Sequence, residues 1–153
     1  MASVGPDFTR PIVARGAAYA DYDKDGDLDV LLTTNHGPAY LYRNDGGNKN
    51  NFLCIRTRGV KSNRDGIGAV VRIESTGGKQ WNVVRSGSSY ASQSDLAVTF
   101  GLAKDATVTT VDVEWPSGTR DHIVNLKANQ FITIEEGKGV VVQTPVAPGR
   151  SSH

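Results

Sequence analysis

The stretch from Asp21 to Asp29, DYDKDGDLD, constrains this chain more than any other. Aspartates occupy alternate positions at Asp21, Asp23, Asp25, Asp27 and Asp29, and Gly26 stands at the sixth place. Crowding these carboxylates into one short loop raises the free energy of ionising them. A hard cation removes that repulsion and gives the loop a centre. Calcium suits it best, because it accepts about six to eight oxygens in a flexible arrangement.

The spacing refines this expectation. In a helix–loop–helix calcium site, loop positions 1, 3 and 5 bind through side chains, position 7 through its carbonyl, and position 12 through a bidentate Glu. Here the first three are Asp21, Asp23 and Asp25, and Gly26 can take the sharp turn without steric cost. Asp27 is expected to offer its carbonyl with its side chain pointing outward, and Asp29 to close the loop early. Position 12 is Leu32, which cannot ligate. The flanks, Gly16 to Ala20 and Val30 to Thr34, are short, apolar and partly β-branched, so they read as strands. The expected object is a calcium-binding connection within a β-sheet.

Arg15 to Gly47, RGAAYADYDKDGDLDVLLTTNHGPAYLYRNDGG, resembles one FG-GAP or VCBS-type repeat, the calcium-bearing blade unit of integrin-like β-propellers. From Asn51 to about Glu136 the chain is similar to the ASPIC/UnbV domain. That resemblance is carried by Asn51-Phe52-Leu53, Asp65-Gly66-Ile67-Gly68-Ala69, Gly87, Ser89-Tyr90, Ser92-Gln93, Phe100-Gly101-Leu102, Trp115-Pro116-Ser117-Gly118 and Ala128-Asn129-Gln130. Ala103 departs from it, since glycine more often stands there. The two resemblances imply an all-β chain: a single propeller-blade-like unit with a calcium loop, packed on a β-sandwich or barrel. They also imply a secreted or cell-surface setting.

The expected boundaries are a leading coil over 1–14, the calcium-binding unit over 15–48, the sandwich or barrel over 51–144, and a flexible tail over 145–153. Two or three strands alone are marginal in water. The small unit is therefore expected to pack on the following domain and to belong to a longer array, with neighbouring blades or domains as partners. Beyond residue 51 short alternating runs separated by turns every eight to twelve residues, such as Val111, Val113 and Trp115 against Asp112 and Glu114, indicate a sandwich or barrel. Trp81 and Trp115 are expected in the core.

Bulk composition excludes several classes. Net charge is +1, with 17 basic and 16 acidic residues. The basic residues are scattered rather than clustered, which argues against nucleic-acid binding. No run approaches the ~20 apolar residues of a membrane-spanning helix. No leader peptide is legible at the start. The lone cysteine, Cys54, lies in the apolar run Phe52-Leu53-Cys54-Ile55 and is expected to be buried. His36 falls in a turn, and Asp121 and His122 point to opposite faces of a strand, so no catalytic residue is expected. The serine-rich loop 86–94, with Tyr90 and Gln93, could present a recognition surface. The expected function is a calcium-stabilised extracellular module for binding or adhesion, recognising protein or glycan. A carbohydrate-binding accessory domain of a secreted enzyme and a non-binding spacer stand as alternatives.

Overall fold

In the computed structural model, residue 9 and residues 11–46, 49–87 and 89–146 are described. Residues 1–8 and 10 of the expected leading coil, residues 47–48 and 88, and 147–153 of the expected tail lie outside this set. Among the described residues there are eleven strands and no α-helix.

The first three strands, β1 (Ala14–Ala20), β2 (Asp29–Thr34) and β3 (Tyr40–Tyr42), form an antiparallel sheet of their own in that order. The aspartate loop is the connection from β1 to β2. Eight further strands form two four-stranded sheets. One runs in the order β11 (Gly139–Pro145), β10 (Gln130–Glu135), β4 (Asn51–Arg58), β7 (Val98–Ala103). The other runs β6 (Gly78–Val83), β5 (Val70–Ser75), β8 (Thr107–Glu114), β9 (Arg120–Lys127). Pairing is antiparallel except between β10 and β4, where Gln130 stands opposite Leu53 in a parallel ladder.

The two sheets face each other as a sandwich that does not close into a barrel. Alternation decides what lies between them. Leu53 and Ile55 of β4, Ile132 and Ile134 of β10, Val71 and Ile73 of β5, and Val111 and Val113 of β8 all belong to one buried cluster. Trp115 joins it as its largest fully buried side chain, and its indole N–H donates to the Asp121 carboxylate at 2.7 Å. Strand β4 breaks the alternation, because Phe52 and Cys54 on its outer side are buried as well. A strand covered on both faces reads as a continuous apolar run, and Phe52 to Ile55 is one. Part of that outer cover is the aspartate loop.

Trp81 corrects the expectation that both tryptophans are core. It is 66% exposed. It sits on edge strand β6 opposite Arg72, on the outer face of its sheet. Alternation gives Trp81 and Val83 one face, but it cannot say which face meets the partner sheet.

Candidate metal centre

The chain leaves β1 at Ala20 and re-enters the sheet at Asp29, its partner across the ladder. Between them the backbone is folded by the loop's own carboxylates. Asp21 accepts hydrogen bonds from the Asp25 N–H at 3.1 Å and the Gly26 N–H at 3.0 Å. Asp25 accepts one from the Asp27 N–H at 3.2 Å. Asp29, only 2% exposed, accepts from the Tyr22 N–H and from the Asn44 N–H, each at 2.9 Å. It thus ties the start of the loop to the segment that follows β3.

This folding brings Asp21, Asp23 and Asp29 together, with one carboxylate oxygen of each within 4.8 Å of the others. Asp25 and Asp27 stand outside that cluster. The set is all oxygen, the donor type hard divalent cations take. An oxygen that accepts one N–H keeps a second lone pair, so the backbone bonds do not exhaust the cluster. Burial pushes the Asp21 carboxyl above its ordinary value, the Gly26 N–H pulls it down, and the neighbouring Asp25 charge pushes it up again. A nearby positive charge would reverse that rise.

The Asp27 side chain does not point outward as expected. It is 6% exposed, buried beside Gly26. Gly26 lies against the ring of Phe52: a Cβ added there would fall 2.1 Å from the ring's Cε1. The Gly26 side of the loop therefore rests on the sandwich, while Tyr22, Asp23 and Lys24 stay exposed.

A second connection joins the small sheet to the sandwich. The Ala17 N–H donates to Ser92 Oγ at 2.8 Å and the Tyr19 N–H to Ser94 Oγ at 3.2 Å. The Asp95 N–H donates to the Tyr19 carbonyl at 3.0 Å. Two hydroxyls of the serine-rich loop thus serve as acceptors for β1. Tyr90, in contrast, is 75% exposed. The sequence carries the serines but no signal for which backbone they serve, since partners 75 residues apart leave no local pattern.

Sequence reasoning missed Glu136 entirely. One of its oxygens accepts from three successive backbone N–H groups, those of Val60, Lys61 and Ser62, each at 2.7 Å. The other accepts from the hydroxyls of Ser62 and Ser117. Burial acts to raise its pKa. The bonds from Ser117, Ser62, Val60 and Lys61 more than offset that and hold it at about 2. The remaining titratable candidates stay apart. His122 Nδ1 lies 2.6 Å from an Asp112 oxygen across the ladder, while Asp121 turns inward to Trp115.

Residues 59–141 match the ASPIC and UnbV family. The chain belongs to that family. It is 33% identical over 109 residues to cartilage acidic protein 1 of Xenopus tropicalis and of Homo sapiens, and 32% identical to that of Mus musculus. Those matches take in 67% of this chain but 16% of each relative, so the chain spans about a sixth of their length. The matched family segment includes the whole Glu136 lock, from the loop after β4 to the end of β10.

Proposed function

We propose that this chain is a calcium-stabilised extracellular module that binds protein or glycan. The observation that carries the reading is the convergence of Asp21, Asp23 and Asp29 within 4.8 Å in a loop that rests on the sandwich. In this reading the cation sits among those carboxylates and the Asp27 carbonyl adds to its shell, while Asp25, outside the cluster, holds the loop's turn by accepting the Asp27 N–H. The cation makes the β1–β2 connection rigid, and Gly26 passes that rigidity to Phe52. The small sheet is then an FG-GAP or VCBS-type unit.

Its exposed apolar side chains support membership of a longer array. Leu31 and Leu41, paired across β2 and β3, are 40% and 51% exposed on one face, and Tyr19 is half exposed on the other. Such a sheet suits a place between neighbours. The name of the relatives, cartilage acidic protein 1, ties them to cartilage, which favours a setting outside the cell, where calcium is plentiful. Binding is favoured over catalysis by the surroundings of His122 and Asp112, which lie more than half exposed on an open sheet face.

The test is thermal unfolding with calcium and with chelator. A ligand that binds only the folded state stabilises it by about 2.7 kcal/mol at a hundredfold excess over its Kd. Calcium should raise the Tm, and Asp23→Ala should remove most of the rise while leaving the chelated protein unchanged, because Asp23 is exposed. Equal melting in calcium and chelator would overturn the assignment.

A further inference from the structure

Between the aspartate loop and the sandwich lies a cleft of about 620 Å³ that none of the described residues fills. Its floor is the outer face of the β11-β10-β4-β7 sheet. Ladder pairing sets Thr144, Phe131, Cys54 and Thr99 side by side across that face, with Thr133 beside Arg56 in the next row. Asp21, Lys24 and Leu28 of the aspartate loop form one wall. Arg85, after the end of β6, and Asp95 contribute to the rest of the rim.

We propose that this cleft binds an acidic saccharide, a sugar carrying a carboxylate or sulfate group. The inference rests on the binding-module reading above and supplies its ligand class. The volume falls in the range of small-ligand sites, which combine apolar surface with a few convergent polar groups. Phe131 and Leu28 offer apolar surface for the C–H face of a sugar ring. Thr99, Thr133 and Thr144 offer hydroxyls that both donate and accept, as a polyhydroxyl ligand requires.

Charge selects an anion. Arg56 is held by Asp95 at 2.9 Å, which fixes its guanidinium over the floor. Lys24 and Arg85 make no ion pair among the described residues. The cleft also holds two carboxylates, but Asp95 is paired with Arg56 and Asp21 belongs to the aspartate cluster. Lys24 and Arg85 are thus left to be matched by a ligand carboxylate or sulfate, with charge-assisted hydrogen bonds stronger than neutral ones. An extended peptide fits less well. Peptides that add to a sheet need an open edge of unpaired backbone, whereas β10 and β4 at the centre of this floor are paired on both sides.

Calorimetric titration decides the matter, with the whole chain in calcium buffer. The probes are a uronic-acid disaccharide, its neutral counterpart and an oligoglutamate peptide. The uronate should bind, and Lys24→Gln and Arg85→Gln should each weaken it about tenfold. The Arg85→Gln protein should keep its calcium-dependent rise in Tm, because Arg85 is not among the aspartate ligands. Absence of uronate binding with the calcium shift intact overturns this inference alone; absence of both overturns the module reading with it. Equal binding of the neutral sugar, tighter binding of the peptide, or indifference to both substitutions also overturns it.

Discussion

Two residues show how a single backbone position can carry more information than its side chain. Gly26 has φ of +102° and no room for a Cβ, because the Phe52 ring fills that space. Gly26→Ala should therefore cost about 1–3 kcal/mol from overpacking, with backbone strain added. Phe52→Leu should recover part of the loss, and a double-mutant cycle in denaturant melts would show the coupling. Ala103 is the opposite case. It is not glycine, yet its φ is +50°, at the bulged end of the β4–β7 ladder opposite Asn51. The left-handed region costs an L-residue roughly 1–2 kcal/mol. Ala103→Gly should raise stability by about 0.5–1 kcal/mol, after allowing for the greater freedom of glycine when unfolded. An unchanged or lower denaturation midpoint would contradict this.

Glu136, just past the end of β10, acts at the level of elements. It binds the loop after β4 through three N–H groups and the turn after β8 through Ser117, while its own N–H donates to the Arg58 carbonyl at 2.9 Å. One side chain thus joins segments that no ladder connects. Successive N–H groups aimed at one point form a nest for an anion, and here the anion is the protein's own. The folded carboxyl titrates at about 2, below its ordinary 4.5. Its stabilisation is fully present above pH 4.5 and is lost as the pH falls toward 2. Glu136→Gln should lower the Tm at neutral pH, and the gap between the two proteins should narrow across that acid range. A gap that stays constant in a pH series of melts would remove Glu136 as the cause.

At the scale of the whole molecule, the small sheet and the sandwich are joined by few contacts among the described residues. The aspartate loop meets Phe52, and β1 meets Ser92, Ser94 and Asp95. Neutral hydrogen bonds contribute about 1 kcal/mol each, so replacing both serines should loosen the junction without unfolding either part. In the Ser92→Ala, Ser94→Ala double variant, amide exchange should speed up in β1 and stay unchanged in β4 and β10. Uniform acceleration through the sandwich would mean that the two units unfold as one.

Local pattern by itself determined the strands, the buried run from Phe52 to Ile55 and the aspartate spacing, because alternation and turn chemistry act over two to six neighbouring residues. Tertiary structure alone decided which three aspartates converge, why Asp27 is buried, and that Trp81 faces out while Trp115 faces in. It also decided that Glu136 closes a nest 74 to 76 residues away, that serine hydroxyls hold β1, and that Lys24 and Arg85 face one cleft. Each of these is a meeting of side chains far apart in the chain. A strand's period says that two faces differ, but what lies against each face is set only when the sheets come together.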